Sequence, residues 1–376
     1  MRFPSAPIPL FALAHGLGLA LVALPAAAQT AAPTSPPLAA STPSPRPVVP
    51  VRDDSAPDVV TYGQREDVMR FGAELAARHG LDVAWVQRTL AASRYVPSVA
   101  KFIMPPPAGT AKNWAAYRAR FVEPVRLRAG TAFWREHERW LVRAQAMYGV
   151  PAEIIVGVIG VESIYGRHMG TFRVIDALAT LSFDFPTGRR DRSAFFRDEL
   201  EQFFVMAHSE RLDPLVPKGS YAGAMGMGQF MPSSWNKFAV DFDGDGRIDM
   251  NGSPADAIGS VAHFLAEAGW QPGQPTRYVV SPPVDSVDRA ALLGPDILPT
   301  FTAQEFAARG AVLEPAGQAH EGKLALVELQ NGEAAPSYVA GTANFYAVTR
   351  YNWSSYYALA VIELGETIAR LRHTDR

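Results

Sequence analysis

A single glutamate stands where the sequence could place an acid catalyst. Glu162 directly follows the apolar residues 154–161 and precedes Gly166, a pattern typical of a buried helix and its end. Burial and the negative end of the helix dipole both disfavour a carboxylate anion, so we expect a raised pKa for Glu162. A carboxylic acid that keeps its proton near neutral pH can act as a general acid. The alternative is a glutamate that reaches solvent or caps neighbouring backbone.

The second chemical signal is a segment rich in glycine and methionine, residues 218–235. Its glycine order, G-x-x-G-x-G, is not the order of dinucleotide-binding loops, and no Lys-Ser or Lys-Thr pair follows, which argues against a nucleotide site. The pattern favours backbone that approaches a ligand closely, with Met225 and Met227 as adaptable apolar walls. Gln229 adds an amide that can both donate and accept. The alternative is a tight packing corner between helices.

The third signal is a calcium-like loop. Residues 241–249 match the first nine positions of an EF-hand loop. The acidic positions are held by Asp241, Asp243, Asp245 and Asp249. Gly246 suits the sharp turn, and the backbone carbonyl of Arg247 suits the next ligand position. Gly252 stands where the last, bidentate Glu is expected, and Asp256 could supply that ligand from the following helix. We expect a structural Ca²⁺ ion; the alternative is an aspartate-rich turn without an ion.

Composition removes several other chemistries. The chain has 376 residues and no cysteine, which excludes thiolate catalysis, cysteine-ligated zinc, iron–sulfur clusters and disulfides. Its 35 basic and 37 acidic residues give a net charge of −2, which argues against nucleic acid as the main partner. His137 and Glu138 lack the second histidine of a zinc protease helix, and there is no G-x-S-x-G elbow. We expect no organic cofactor.

Helical patterns position these signals. Apolar residues recur at helix spacing from Val68 to Ala76, Gly80 suits the end of that helix, and Asp82 suits the cap of the next. A long amphipathic helix is predicted over residues 131–147. The densest helical stretch follows over residues 151–270, and a last helix over residues 354–371.

The chain changes character after Trp270. Frequent prolines there separate short β-like runs at residues 277–280, 324–329 and 338–340, with Asn331-Gly332 as a turn between the last two. The predicted fold class is therefore mainly α (α+β), with a small β-rich insertion.

The N-terminus indicates export. Arg2, the apolar residues 10–24 and the small residues up to Ala28 follow the order of a secretory signal, with cleavage near Ala28. A transmembrane anchor is the alternative, but the apolar run is short for a span. Residues 29–60 are rich in proline and alanine and are expected to form a disordered tether. We therefore expect a soluble periplasmic protein without stable membrane insertion.

Five ordered strings of residues carry a family resemblance. They lie at residues 159–163 (IGVES), 176–183, 222–234 (opening AGAMG), 241–261 and 344–358. Together they resemble the membrane-bound lytic murein transglycosylase B family, peptidoglycan lytic transglycosylases that have a lysozyme-like catalytic core and an EF-hand. The resemblance covers about residues 62–371. The lipid anchor that the family name suggests would need a cysteine, which this chain lacks.

The resemblance implies cleavage of the MurNAc-β-1,4-GlcNAc bond without water, leaving 1,6-anhydro-MurNAc ends. Glu162 matches the family's one glutamate, which acts first as acid and then as base. Residues that match the family's sugar cleft are Ser220, Gln229, Tyr351, Asn352 and Tyr357, with Tyr117 as an addition and Arg189 and Arg190 as partners of stem-peptide carboxylates. The expected metal ligands are Asp241, Asp243, Asp245, the Arg247 carbonyl and Asp256.

The domain organisation follows from these patterns and the resemblance. It comprises a signal peptide (1–28), a tether (29–60), a helical lobe (61–147, joined by the C-terminal helix 354–372), a catalytic core (148–270, with metal loop 241–256), a β-rich subdomain (271–342) and a return to the cleft (343–376). We expect a monomer that acts on glycan strands and could meet other cell-wall enzymes. A hydrolytic muramidase and a non-catalytic, calcium-dependent cell-wall binding protein stay open as alternatives.

Overall fold

The computed structural model describes residues 59–105 and 112–374, which form mostly helices. The helices are α1 (Glu66–His79), α2 (Val83–Ala92), α3 (Pro97–Phe102), α4 (Trp114–Ala119), α5 (Pro124–Glu136), α6 (Glu138–Tyr148), α7 (Ala152–Ser163), α8 (Val174–Phe183), α9 (Ser193–Ser209), α10 (Pro232–Phe238), α11 (Pro254–Glu267), α12 (Ser286–Leu293), α13 (Ala303–Ala308), α14 (Pro315–Gln318), α15 (Ala343–Thr349) and α16 (Ser355–Thr374). The strands are β1 (Phe172–Arg173), β2 (Lys218–Gly219), β3 (Arg277–Ser281), β4 (Val312–Leu313), β5 (Ala325–Asn331) and β6 (Ala334–Gly341). The predicted mainly α class is confirmed. The expected signal peptide and most of the tether lie outside the described residues.

The predicted end of the first helix and start of the second are confirmed, whereas one later helix prediction is wrong. Gly80 ends α1 in the left-handed conformation, and the Asp82 side chain accepts from the Trp85 amide at the start of α2. The single helix predicted over residues 131–147 is wrong, because the chain leaves helical geometry at His137 and restarts as α6. The two halves pack on different partners, α5 on α7 and α16, and α6 mainly on α11, so one straight helix could not serve both.

Helix α7 is the buried axis of the molecule. Ten of its twelve residues are buried, and α16 packs along it. The two backbones approach closely, since a Cβ added to Gly157 would stand 2.2 Å from the Val361 carbonyl oxygen. No single helix among the described residues is long and apolar enough to cross a membrane; α6 and α7 pass that test only as a pair that is bent by 115°.

Two antiparallel sheets complete the fold. The short strands β1 and β2 pair Phe172 with Gly219 beside the glycine-rich segment. The other sheet has the order β4-β3-β6-β5 and contains all three predicted β-like runs, while α12, α13 and α14 join it in a mixed subdomain. Side chains alternate across β5: Val327 faces the main core, and Leu326 faces a smaller second core. The sheet therefore lies between the two cores.

Candidate active site and metal loop

Glu162 lies in the last turn of α7, and its side chain is half-buried, whereas most of the helix is fully buried. Its Oε1 atom accepts a hydrogen bond of 2.6 Å from the hydroxyl of Tyr357, a residue of the first turn of α16. Helix α7 ends directly afterwards, because Ile164 adopts a left-handed backbone conformation. The carboxyl group is thus held by a helix end on one side and a phenol on the other.

Three phenols surround Glu162. Tyr351 stacks on Tyr357 with ring centroids 6.3 Å apart and nearly parallel planes. Burial, and then the charge of Glu162, raise the pKa values of Tyr351 and Tyr357 well above the usual range. The same two causes raise the pKa of Tyr117, on α4, to about 12. All three phenols therefore keep their protons and act as neutral neighbours of the carboxyl group.

The glycine- and methionine-rich segment contacts this group from both sides. The Ser163 hydroxyl donates to the Met227 carbonyl at 2.7 Å, and the Tyr351 hydroxyl donates to the Gly228 carbonyl at 2.5 Å. Met225 and Met227 are only 1% and 8% exposed and belong to the main core, so their side chains support the segment from inside the protein. The backbone of residues 226–228 thus lies next to the turn that carries Glu162.

Two predicted sugar-binding residues of this segment organise its backbone. The Ser220 hydroxyl accepts from the amides of Ala222 and Ala224. Gln229 has a positive φ of 50°, and its Nε2 atom donates to the carbonyls of Met169 and Gly226. These bonds fix the orientation of the Gln229 amide. Both residues are half-buried.

The remaining predicted site residues have separate surroundings. Asn352 is half-buried and directly follows Tyr351. Arg189 donates to the carbonyl of Ile103 near the end of α3, and its guanidinium lies 6.0 Å from the centre of the Phe185 ring. Arg190 is exposed. The arginines therefore belong to the loop between α8 and α9 rather than to the turn that carries Glu162.

Sequence reasoning overlooked Ser163. Its buried Oγ atom accepts from the Gly166 amide at 2.9 Å while it donates to Met227, so it ties the end of α7 to the glycine-rich segment. A hydroxyl directly after an acidic residue at a predicted helix end was the available signal. Its partner, a backbone carbonyl 64 residues away, has no signature in the sequence.

The carboxylates of the aspartate-rich loop accept most of their hydrogen bonds from backbone amides of the same loop. Asp241 accepts from the amides of Gly244, Asp245 and Gly246, and the last of these bonds is the main reason why its pKa lies below the usual range. Carboxylate oxygens of Asp241, Asp243 and Asp256 lie within 4.8 Å of one another. Three carboxylates at this spacing fit a divalent cation that prefers oxygen ligands.

Asp256 connects the loop to the core. It is 1% exposed, and its two oxygens accept from the amides of Phe242 and Asp249. Burial raises its pKa. The other two predicted ligands, Asp245 and Arg247, contact each other: the Asp245 carboxylate accepts from the Arg247 amide. The Arg247 side chain is exposed. The end of the loop also reaches the glycine-rich segment, because the Met227 amide donates to the Met250 carbonyl.

Comparisons with known proteins agree with each other. A family model described as the transglycosylase SLT domain matches residues 63–366. Membrane-bound lytic murein transglycosylase B of Escherichia coli (strain K12) is 38% identical over 320 residues, which are 83% of this chain and 85% of that protein. Among solved structures, soluble lytic transglycosylase SltB1 from Pseudomonas aeruginosa matches with a TM-score of 0.74 and 39% identity over 82% of this chain and 99% of that one. Escherichia coli lytic transglycosylase Slt35 in complex with calcium matches with a TM-score of 0.72 and 38% identity over 83% and 95%.

Proposed function

Because the chain belongs to the transglycosylase SLT domain family and is a lytic murein transglycosylase, we propose that Glu162 is its general acid and then its general base. The match to solved lytic transglycosylases also confirms the lysozyme-like fold that the sequence resemblance implied. The observation that carries the proposal is the half-buried carboxyl group at the end of an apolar helix, bonded to Tyr357. A raised pKa for Glu162 stays a prediction from those apolar surroundings.

The proposed reaction uses one protein group for two proton transfers. Glu162 protonates the glycosidic oxygen as the bond from that oxygen to C1 of MurNAc breaks. It then takes the proton of the C6 hydroxyl of the same MurNAc while O6 bonds to C1, which closes the 1,6-anhydro ring and restores the acid. No water is consumed. The substrate's own hydroxyl and N-acetyl carbonyl replace the second carboxylate of ordinary glycosidases.

The phenols support this role for Glu162. Tyr357 holds one carboxyl oxygen and so limits the rotation of the side chain. Because Tyr351, Tyr357 and Tyr117 stay protonated, they add no negative charge that would compete for the catalytic proton. Tyr357 donates its hydroxyl proton to Glu162, and Tyr351 donates to the Gly228 carbonyl.

We further propose a glycan cleft along the glycine-rich segment. Its polar lining would consist of Ser220, Gln229, Tyr351, Asn352, Tyr357 and Tyr117. Met225 and Met227 would shape it from within the core, and Arg189 and Arg190 would meet stem-peptide carboxylates. The oriented Gln229 amide supports the proposal, because an amide that is held in place can select hydroxyl and N-acetyl groups.

We propose a structural Ca²⁺ ion in the aspartate-rich loop. The ligands would be Asp241, Asp243, Asp245, the Arg247 carbonyl and Asp256, and the support is the close group of three carboxylates. The relative Slt35 is described in complex with calcium. A bound cation would balance charges that otherwise repel, and it would act on the stability of the loop rather than on the bond being cleaved.

The chain's location and partners are also proposals. The secretory pattern of residues 1–28 and the absence of cysteine support a soluble periplasmic enzyme that acts on peptidoglycan strands as a monomer. Other cell-wall enzymes could be further partners. The domain boundaries are likewise proposed, with residues 148–270 as the catalytic core and residues 271–342 as the β-rich subdomain.

Mass spectrometry of purified sacculi after digestion tests the function. The proposal expects 1,6-anhydro-muropeptides from the wild-type protein and none from Glu162→Gln, which should still bind sacculi. Reducing muropeptides would instead support a hydrolytic muramidase. Binding without any release would support a non-catalytic wall-binding protein. Full activity of Glu162→Gln would remove Glu162 from the mechanism.

A further inference from the structure

The turn that follows Glu162 has an unusual backbone. Among the described residues, five non-glycine positions have a positive φ, and two of them, Ile164 at 50° and Tyr165 at 56°, are consecutive. Gly166 extends the left-handed run with a φ of 84°. Left-handed backbone is sterically costly for a β-branched residue such as Ile164, so neighbouring structure must hold the turn.

Tyr165 supplies that hold from within the core. The end of its ring lies in a notch between two glycines. A Cβ added to Gly160 of α7 would stand 2.3 Å from the Tyr165 hydroxyl and 2.7 Å from the ring carbon Cζ. One added to Gly130 of α5 would stand 2.4 Å and 2.9 Å from the same atoms, and 2.3 Å from Ile368 Cδ1. The ring also lies against Phe133, with centroids 5.2 Å apart. The side chain therefore fits one position, which only small residues on α5 and α7 leave open.

The backbone of the turn closes α7. The Ile164 amide donates to the Gly160 carbonyl and the Tyr165 amide to the Ile159 carbonyl, which is the bond pattern of a helix that stops in a left-handed turn. The chain turns aside directly after Ser163, which donates to the Met227 carbonyl and lies next to Glu162, the residue bonded to Tyr357. If the turn relaxed towards right-handed helix, Ser163 would lose the bonds that its hydroxyl and carbonyl accept from the amides of Gly166 and His168, and the last turn of α7 would lose that support.

The Tyr165 hydroxyl makes no hydrogen bond to any described residue, although it is buried. Burial raises the pKa of Tyr165, and the charge of Arg126, which donates to the Gly160 carbonyl, opposes that rise. An unbonded buried hydroxyl adds nothing to stability. The ring, and not the hydroxyl, is therefore the part of Tyr165 that acts.

We propose that Tyr165 is a positioning residue for Glu162: its ring locks the left-handed turn that ends α7 and so holds in place the last helical turn, from which Glu162 reaches Tyr357. The inference rests on the proposed role of Glu162. It goes beyond that role because it assigns the geometry of the acid to a residue that does not touch it.

The test replaces Tyr165 by Leu and by Phe and measures kcat and KM on sacculi at several pH values. Tyr165→Leu should lower kcat about 10- to 100-fold with little change in KM, because misplacing a catalytic group mainly costs the chemical step. The alkaline limb of the kcat profile should also move, because a displaced Glu162 exchanges its hydrogen bond from Tyr357 for contact with water. The phenols around it, Tyr117, Tyr351 and Tyr357, contribute no ionisation in that range. Tyr165→Phe, which keeps the ring, should retain the wild-type kcat and the wild-type pH profile.

Two controls separate positioning from general loss of packing. Phe203→Leu removes a ring from a fully buried position on α9 and should lower the melting temperature without moving the pH profile. If Tyr165→Leu does not fold, Gly130→Ala is the substitute: its methyl group presses on Ile368 and on the Tyr165 hydroxyl and should lower kcat. The double variant Gly130→Ala/Tyr165→Phe should regain the part of that loss that passes through Tyr165.

Wild-type kcat and an unmoved pH profile in Tyr165→Leu or Gly130→Ala would overturn the inference, as would a failure of Tyr165→Phe to retain activity. Glu162→Gln keeps the two proposals apart. If that variant is inactive while Tyr165→Leu is normal, only the positioning role is lost; if Glu162→Gln is fully active, the proposed function itself fails.

Discussion

The molecule holds its two acidic sites in opposite ways. Glu162 stands alone at the end of a buried helix and is bonded to the side chain of Tyr357. The five aspartates of residues 241–256 lie close together in the chain, and each of them accepts from at least one backbone amide. Backbone amides keep the pKa of Asp241 below its usual range, although burial raises the pKa of Asp256, whereas the apolar surroundings of Glu162 predict a carboxyl group that keeps its proton. The difference separates a group suited to exchanging a proton from a group suited to holding a cation.

A short path of hydrogen bonds joins the two sites. The Met227 amide donates to the Met250 carbonyl at the end of the loop, and the Met227 carbonyl accepts from Ser163, next to Glu162. Substitutions at the two sites should therefore have different effects. Changes at Glu162 and Tyr357 should affect the rate, changes at the loop should affect stability, and Ser163 should show some of both.

Glu162→Gln should have the largest effect. The amide keeps the size of the side chain and can still accept from Tyr357, but it can neither donate nor accept the catalytic proton. We expect kcat to fall by about 10³- to 10⁴-fold, because one group serves as acid and as base. Release of muropeptides from sacculi measures this, and an unchanged melting temperature is the control. A fall of less than tenfold would contradict the assignment.

Tyr357→Phe should rank second. It removes the 2.6 Å hydrogen bond to Glu162 and keeps the ring that stacks on Tyr351. The loss of a bond to an ionisable group, worth about 1.5–3 kcal/mol, predicts a fall in kcat of roughly 10- to 100-fold. Phe345→Leu, at a fully buried position on α15, is a suitable packing control. Equal kcat for Tyr357→Phe and wild type would show that the phenol does not orient Glu162.

Ser163→Ala should have a smaller effect on both quantities. It removes the bonds to Met227 and Gly166 and leaves a buried carbonyl without its donor, which costs about 1–3 kcal/mol of unfolding free energy. We expect a lower melting temperature and a reduction of kcat of only a few fold, measured on the same preparation. Ser182→Ala, at another buried serine, is the matched control, because the Ser182 hydroxyl makes no hydrogen bond to any described residue.

Calcium should change stability and leave kcat almost unchanged. At a hundredfold excess over Kd, a bound ion stabilises the folded protein by about 3 kcal/mol, so the melting temperature should rise with Ca²⁺ and fall with chelator. Asp241→Asn should abolish that response. Asp249→Asn should keep it, since the carboxylates that lie within 4.8 Å of one another are those of Asp241, Asp243 and Asp256 and do not include that of Asp249. A melting temperature that ignores millimolar Ca²⁺ would refute the metal site.

Local signals in the sequence predicted much of this fold. The cap at Asp82, the helix end at Gly80 and the three β-like runs could all be predicted, because each depends on neighbouring residues. The break at His137 could not, because it depends on the partners that α5 and α6 find in the folded chain.

The candidate site shows the same division. The position of Glu162 at the end of an apolar helix was visible in the sequence, and the family resemblance pointed to Tyr357. The tie from Ser163 to Met227 and the place of the Tyr165 ring between two glycines depend on contacts between distant segments, which no spacing along the chain displays.

The most direct test of the proposed mechanism is whether oxygen from water enters the MurNAc ends of the products. Sacculi would be digested by the wild-type protein in water enriched in ¹⁸O, and the muropeptides weighed by mass spectrometry. If Glu162 passes the C6 hydroxyl proton while O6 closes the ring, the MurNAc ends are anhydro forms that contain no ¹⁸O. Reducing MurNAc ends that each carry one ¹⁸O would show that water is the nucleophile, and they would contradict the account.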